Sequence, residues 1–232
     1  MENLIEIKNL TKRYKSKNAV NDLTINIKKG EIYGLIGNNG AGKTTLLKMI
    51  AGITVPTFGA IVVSEKGIKT GTLISKPYLY GDMSAADNLK ALSVAAGYNI
   101  DKSTISETLD MVGLSGVGNK KAGSFSTGMK QRLGLALALI GNPDLLLLDE
   151  PSNGLDVEGV VDLRNIILKI HKESETTIIV SSHILDELAK TATRICLMKN
   201  GKLIVDCSEQ EFLEKGGGKS LEESYLKFMA QN

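Results

Sequence analysis

The stretch "GNNGAGKTT", residues 37–45, follows the short apolar run "EIYGLI" and leads into "KTTLLKMIAG". The apolar run predicts a strand, and the spacing after it predicts a helix that ends at Gly52. Residues 37–44 fit the pattern G-x-x-x-x-G-K-[S/T] completely. We therefore predict a phosphate-binding loop in which backbone N–H groups surround the phosphates, Lys43 adds a positive charge near them, and the Thr44 hydroxyl binds Mg²⁺.

A second glycine run, "KGGGKS" at residues 215–220, does not fit the same pattern. A phosphate loop there would need glycine where Leu213 stands, and no strand precedes it. We interpret this run as a flexible joint.

Two adjacent carboxylates end the apolar stretch "DLLLLDEP", residues 144–151. A continuously apolar run predicts a strand of a parallel sheet covered on both faces, and α/β sheets bind ligands at the carboxyl ends of such strands. Asp149 is placed to hold Mg²⁺ opposite Thr44, with Glu150 beside it. Either carboxylate alone is also explained as a solvated strand end, whereas the pair next to a phosphate loop favours a metal and a catalytic role.

His183 follows a second apolar strand in "TTIIVSSH". Parallel strands bring their ends to one edge, so His183 is expected within reach of a γ-phosphate. The other histidine, His171, lies among charged residues and is interpreted as an ordinary surface residue.

A second helix start with anion-binding character occurs at "SFSTGMKQR", residues 124–132. Ser126 has the position of an N-cap, and a helix N-terminus carries about half a positive charge. A simple serine cap is the commoner use of such a residue, but it leaves "GMKQR", residues 128–132, unexplained. One small protein thus presents two anion-binding helix starts.

Composition limits the remaining classes of function. The 232 residues carry a formal net charge of +2, and no basic block indicates nucleic acid as a partner. Cys196 and Cys207 have no metal-binding spacing and are expected to be buried free thiols. The longest apolar run, at residues 133–141, is too short for a membrane span of about 20 residues. We expect a cytosolic, soluble protein that does not cross a membrane alone.

The order of elements predicts an α/β fold: a mixed sheet flanked by helices, with antiparallel strands at the N-terminus. Three helical patterns without an intervening strand, between residues 76 and 142, predict an inserted helical subdomain. Ser84 and Asp101 have the positions of N-caps for the first two. Asn200-Gly201 predicts a hairpin turn, and two short helices close the chain. We predict a single cassette over residues 1–232, with the α/β core at 1–75 and 143–232.

These motifs, in this order, resemble the ATP-binding subunits of ABC transporters. "GNNGAGKTT" looks like the Walker A loop, "FSTGMKQR" like the signature motif, "LLLLDE" like Walker B, "SNGLD" like the D-loop and "SSH" like the switch histidine. The fold implied is a P-loop NTPase core of this family. The activity implied is Mg²⁺-dependent ATP hydrolysis coupled to transport, at the cytoplasmic face of the membrane, through transmembrane permease subunits.

The resemblance assigns a role to each motif residue. Two cassettes, as a homodimer or heterodimer, face each other head to tail, so that ATP lies between the Walker A loop of one and the signature of the other. Glu150 and His183 are implied as catalytic, Thr44 and Asp149 as Mg²⁺ ligands, and Asp156 as the D-loop residue. ATP is implied to contact Tyr14, which stacks on adenine, and Gly37, Asn38, Asn39, Gly40, Ala41, Gly42, Lys43, Thr44 and Thr45. The partner's ATP is implied to contact Ser126, Thr127, Gly128 and Met129.

One position departs from the family. The strand before the helical subdomain usually ends in a glutamine that binds Mg²⁺ and relays the state of the membrane subunits, and the matching residue here is Ser75. The Ser75 hydroxyl can bind a cation, but the serine side chain is shorter than that of glutamine. Lys76 cannot replace it, because an ammonium offers no lone pair to a cation. If the register differs by one or two residues, another group takes this place.

The finer resemblance is to exporter-type systems, including bacitracin and lantibiotic resistance or immunity transporters. The exposed stretch around Tyr78, Leu79 and Tyr80 is expected to contact a membrane subunit. An alternative is a soluble ABC-type ATPase that acts on ribosomes or DNA, although such proteins usually carry two cassettes or a long coiled coil. A kinase would need an arginine-bearing lid and would leave the signature without a role.

Overall fold

The computed structural model describes residues 2–64 and 67–231, with side chains as far as Ala230. Met1 and Asn232, the ends of the predicted cassette, lie outside the described residues. The strands are β1 (Asn3–Tyr14), β2 (Lys17–Lys28), β3 (Ile32–Ile36), β4 (Phe58–Val63), β5 (Thr70–Leu73), β6 (Leu145–Asp149), β7 (Thr177–Ser182), β8 (Arg194–Lys199) and β9 (Lys202–Cys207). The helices are α1 (Lys43–Ile50), α2 (Ala85–Ala95), α3 (Lys102–Met111), α4 (Thr127–Ala138), α5 (Val157–Ser174), α6 (Leu185–Ala189), α7 (Glu209–Gly216) and α8 (Leu221–Gln231), with a short 3₁₀ helix at Ala122–Ser124.

The residues form two compact units. The first comprises Met1–Gly67, Leu147–Glu150 and Thr177–Asn232, and the second comprises Ile68–Leu146 and Pro151–Thr176. The second unit contains the three predicted helices α2, α3 and α4 together with β5 and α5. The subdomain boundaries at residues 76 and 142 stay a prediction.

The first unit is built on two sheets. A three-stranded antiparallel sheet has the order β2-β1-β4, and the main sheet runs β6-β7-β3-β8-β9 within this unit. Strand β3 lies between β7 and β8 and is parallel to both, whereas β8 and β9 form an antiparallel hairpin. Every residue of β3, β6 and β7 is buried, as continuous apolar runs require in a covered parallel sheet. The mixed sheet, flanking helices and antiparallel N-terminal strands confirm the predicted fold class.

Local capping signals are realised where the sequence predicts them. Ser84, Asp101 and Ser126 are the N-caps of α2, α3 and α4, and each side chain accepts a hydrogen bond from a backbone N–H three residues on. Asn200 and Gly201 both have positive φ, at 49° and 79°, which is the geometry of a tight hairpin turn. Cys196 and Cys207 are free and buried, as predicted.

The glycine run at residues 216–218 is not the flexible joint that its composition suggests. Gly217 ends α7 in the left-handed conformation, with φ 59°. A Cβ at Gly216 would lie 2.3 Å from the Ser224 Cβ atom, and one at Gly218 would lie 2.6 Å from its Oγ atom. These glycines let α8 pack closely against the end of α7, so the prediction of a flexible joint was wrong.

Among the described residues, no helix is long and apolar enough to cross a bilayer.

Candidate functional site

The phosphate loop lies at the carboxyl end of β3, and its glycines are required by close contacts. A Cβ at Gly37 would lie 2.4 Å from the Met198 carbonyl oxygen, and one at Gly42 would lie 2.3 Å from the Ala19 carbonyl oxygen. Gly42 also has φ 110° and precedes α1 as its N-cap. The loop therefore turns where only glycine fits, and it leaves the first N–H groups of α1 without intrahelical acceptors.

Lys43 is almost fully buried and folds back onto its own loop. Its Nζ atom donates to the Gly37 carbonyl at 2.5 Å and to the Asn38 carbonyl at 3.4 Å. The same Nζ atom lies 3.2 Å from the Glu150 Oε1 atom. The cation that would meet a phosphate is thus held in place by two carbonyls and a carboxylate.

Asp149 and Glu150 leave β6 beside this loop and are held by a residue of β7. The Thr44 hydroxyl donates to Asp149 Oδ2 at 2.8 Å. The Ser181 hydroxyl donates to Asp149 Oδ1 at 2.8 Å and accepts from the Glu150 backbone N–H at 2.9 Å. Glu150 has φ 47°, a backbone strain that the surrounding contacts must offset.

His183 joins the same group of residues. Its Nδ1 atom lies 3.0 Å from Glu150 Oε2, so that the ring N–H donates to the carboxylate. β3 and β7 are paired with Ile36 opposite Ser182, which places the two loop starts side by side. The predicted catalytic and metal-binding residues of this unit are therefore brought together at one sheet edge.

Sequence reasoning missed two members of this site. Ser181 lies in the stretch "TTIIVSSH" beside the predicted His183, and its signal in the sequence is a hydroxyl at the end of a buried strand. Lys17 lines a cavity of about 250 Å³ with Ala19, Asn39, Gly40, Ala41, Gly42, Lys43, Thr44, Thr45 and Glu150. Tyr14 pairs across the strands with Lys17 and is half-exposed, with the Lys12 ammonium 5.2 Å from its ring centroid.

The donor set around Thr44 and Asp149 fits Mg²⁺. A hydroxyl and a carboxylate oxygen 2.8 Å apart are hard oxygen ligands, and Mg²⁺ commonly takes one or two such protein ligands with phosphate oxygens and waters. Ser75, in the second unit, is exposed and has φ 70°. Its place in a metal shell stays a prediction.

The start of α4 forms a separate, open cavity in the second unit. The cavity has a volume of about 530 Å³ and is lined by Ser126, Thr127, Gly128, Met129, Arg132, Gly154, Leu155, Asp156, Glu158, Gly159 and Asp162. Ser126 Oγ accepts from the Met129 N–H at 3.2 Å, and Asp156 caps α5 by accepting from the Gly159 N–H at 2.9 Å. Arg132 is paired with Asp162 at 2.6 Å.

Gly128 is not demanded by packing within this unit. A Cβ there would approach Leu155 no closer than 3.6 Å, which is an ordinary contact. Among the residues that the structure describes, nothing inside the chain therefore explains a glycine at this position. A small residue at a helix N-terminus does allow an anion from outside to approach the backbone closely.

Comparisons with known proteins show the family to which this chain is similar. Residues 20–153 match the family model described as ABC transporter. The chain is 41% identical over 228 residues to a lantibiotic transport ATP-binding protein of Streptococcus pyogenes, covering 96% of each chain. It is also 41% identical over 213 residues to the bacitracin transport ATP-binding protein of Bacillus licheniformis, covering 88% of this chain and 69% of that protein.

Two solved structures extend the comparison. An ATP-binding subunit of an ABC transporter superposes with a TM-score of 0.84 at 26% identity, over 97% of this chain and 99% of that one. A dimeric ATP-binding cassette in a post-hydrolysis state, bound to ADP and phosphate, gives a TM-score of 0.78 at 25% identity, over 88% and 98%.

Proposed function

This chain belongs to the ABC transporter family as an ATP-binding subunit that hydrolyses ATP, and we propose that it drives an exporter. In this proposal two cassettes bind ATP head to tail and move separate transmembrane permease subunits at the cytoplasmic face of the membrane. Relatives described as bacitracin and lantibiotic transport proteins support the export role. The observation that carries the head-to-tail arrangement is the open cavity at Ser126 and Gly128, in which Arg132 is already paired with Asp162 and no packing contact requires the glycine.

ATP enters the cavity of the first unit with its phosphates inside the loop from Gly37 to Thr45. Backbone N–H groups and the N-terminus of α1 face the negative charge. The adenine stacks on Tyr14, and Lys17 faces the sugar or phosphates from the adjacent strand. Thr44 and Asp149 would hold Mg²⁺, which neutralises charge on the phosphates when it is bound.

Glu150 is the proposed general base and His183 the group that orients it. Glu150 is paired with Lys43 in this structure. The γ-phosphate competes for the Lys43 ammonium, and this competition frees one carboxylate oxygen to accept a proton from water. The hydrogen bond from His183 to the other oxygen keeps the carboxylate turned toward the loop.

Ser126, Thr127, Gly128 and Met129 are proposed to bind the γ-phosphate held by the second cassette. The N–H groups of Thr127 and Gly128 have no acceptor within the helix, as expected for the first turn. Asp156, at the rim of the same cavity, is proposed to face the second cassette.

The contact with a membrane subunit is proposed to involve Tyr78, Leu79 and Tyr80. The two tyrosine rings meet edge to face at 5.8 Å, and Tyr78 is 78% exposed. The buried Asn88 side chain fixes this loop, because it accepts from the Tyr80 N–H at 2.8 Å and donates to the Tyr80 carbonyl at 3.0 Å. A rigid loop that presents exposed aromatic rings suits an interface.

A mixing experiment tests the head-to-tail proposal. Lys43→Ala removes the phosphate-binding cation, and Gly128→Asp places a carboxylate where the partner's phosphate would lie. Each variant alone is expected to hydrolyse little ATP. Mixed, the two variants can form dimers in which one of the two sites is intact, so activity should reappear. If the mixture stays as inactive as its components while both variants dimerise, the arrangement is wrong.

A second experiment tests the transport role. The tagged chain is isolated from detergent-solubilised membranes of its native host, and its partners are identified by mass spectrometry. A partner with several membrane spans is expected, and changing Tyr78 and Tyr80 together to serine should reduce its recovery while basal ATPase activity remains. Recovery of ribosomal proteins instead would support the non-transport alternative.

A further inference from the structure

The C-terminal helix α8 touches the phosphate loop. The Tyr225 hydroxyl donates to Asn38 Oδ1 at 2.9 Å, across 187 residues of sequence. Partial burial raises the pKa of the Tyr225 phenol, so the hydroxyl keeps its proton at neutral pH. Both residues belong to the first unit.

Helix α8 is itself held firmly. The Lys199 ammonium donates to the Met229 carbonyl at 2.7 Å, and the Lys227 ammonium donates to the Gly217 carbonyl at 2.5 Å. The Phe228 ring lies 5.0 Å from the ring of Phe212, which is fully buried in α7. Tyr225 thus reaches the loop from a fixed support and not from a free tail.

The backbone carbonyl of Asn38 accepts two hydrogen bonds within the loop. It accepts from the Ala41 N–H at 3.0 Å, which closes the turn, and from Lys43 Nζ at 3.4 Å. A change in the backbone dihedral angles of Asn38 would therefore move its carbonyl, which accepts from the phosphate-binding lysine, and the N–H groups next to it. A hydrogen bond that fixes the Asn38 side chain restricts such a change.

We propose that Tyr225 is a positioning residue that holds Asn38 and so keeps the phosphate loop in its ATP-binding shape. The C-terminal helix then sets the affinity for ATP without touching the nucleotide, because a loop ordered in advance loses less entropy on binding. This inference rests on the proposed function, in which that loop binds ATP.

The test is Tyr225→Phe, which keeps the ring and removes only the hydroxyl. Affinity for ATP with Mg²⁺, measured by isothermal titration calorimetry, should fall by about fivefold, the typical effect of one lost hydrogen bond. The KM for ATP should rise by a similar factor while kcat is unchanged, because Glu150, Ser181 and His183 keep their contacts. A general loss of folding would instead lower kcat and the melting temperature. The matched control is Tyr98→Phe, which removes a hydroxyl in the second unit and should leave affinity unchanged.

A double-mutant cycle gives the decisive result. Asn38→Ala should weaken ATP binding about as much as Tyr225→Phe, and the double variant should be no weaker than either single variant. The inference is overturned if Tyr225→Phe binds ATP like the unmodified chain, or if the two effects multiply. If the unmodified chain does not bind ATP, or Lys43→Ala binds it equally well, the proposed function fails first and this inference with it.

Discussion

The phosphate loop and the start of α4 are both helix N-termini that contain glycine, but they differ in the side chains that surround them. Around the loop, Lys43, Thr44, Asp149, Glu150, Ser181 and His183 are already joined by contacts of 2.8–3.2 Å. At the start of α4, Ser126 caps the helix and Arg132 is paired with Asp162, and the open cavity is lined by the first turn of the helix together with Asp156 and Glu158. In the proposed function, the first region binds ATP and activates the attacking water, whereas the second recognises a phosphate of the partner's ATP.

This difference has a consequence for mutations. Changes in the first region should be visible in a single cassette, as altered nucleotide affinity or turnover. Changes in the second should leave nucleotide binding by one cassette intact and appear only when two cassettes close on ATP.

The largest effect is expected from Glu150→Gln. The amide keeps the size and one hydrogen-bond acceptor but cannot take a proton, so turnover should fall by roughly 10²–10⁴-fold. ATP affinity should be kept, because the loop and Lys43 remain. Steady-state ATPase assays and calorimetric ATP binding measure the two quantities separately. Normal turnover would remove Glu150 from the role of base and leave the first region without one.

Gly128→Asp should reduce ATPase activity by about tenfold or more, because a carboxylate at the N-terminus of α4 repels an incoming phosphate. Packing inside the chain tolerates a Cβ at this position, so the melting temperature should change little. Nucleotide affinity at concentrations where the chain is monomeric should equal that of the unmodified protein. A matched control is Gly128→Ala, which should be milder. Weaker ATP binding by the monomeric variant would abolish the distinction between the two regions.

The fold and the site were predictable where their signals are local. The loop pattern, the caps at Ser84, Asp101 and Ser126, and the turn at Asn200 each depend on a few consecutive residues, and the structure places them as predicted. Such signals are short-range because a cap or turn is satisfied within about four residues.

The contacts that complete the site are of another kind. The ion pair of Lys43 with Glu150, and the two hydrogen bonds of Ser181, join segments that are more than 30 residues apart. They depend on the strand order β6-β7-β3, which no local pattern specifies. The packing of Gly216 and Gly218 against Ser224 was not predicted for a similar reason. A run of glycines indicates a flexible segment, but it does not indicate which residue packs against that segment.

Ser181→Ala tests whether these non-local contacts matter. Removing the hydroxyl leaves one Asp149 oxygen and the Glu150 N–H without their partner, at a site where Glu150 is already strained. We expect turnover to fall by about fivefold to tenfold, with a smaller change in ATP affinity. Ser182→Ala is the control, because its hydroxyl donates to the Ile184 carbonyl and accepts from the Ile184 N–H. Equal effects of the two variants would mean that Ser181 contributes stability alone.

The smallest effect is expected at Ser75, where the family usually has glutamine. Ser75 is exposed and already has φ 70°, so Ser75→Gln adds length and an amide oxygen without a new backbone strain. If a water now fills the gap to the metal, its replacement by a direct ligand changes the free energy by at most about 2 kcal/mol. We therefore expect turnover to rise by about twofold to threefold with the membrane subunits present, and less without them.

The measurement for Ser75 is Mg²⁺-dependent ATPase activity, with Ser75→Ala as the matched control. Alanine removes the hydroxyl but must adopt the same positive φ. It should therefore lower the apparent affinity for Mg²⁺ slightly if the serine hydroxyl binds the metal. Thr44 and Asp149 stay in place in both variants, which is why ATP binding should survive in each. If Ser75→Gln and Ser75→Ala both leave Mg²⁺ dependence and turnover unchanged, position 75 lies outside the metal shell, and the first region alone supplies the protein ligands of the metal.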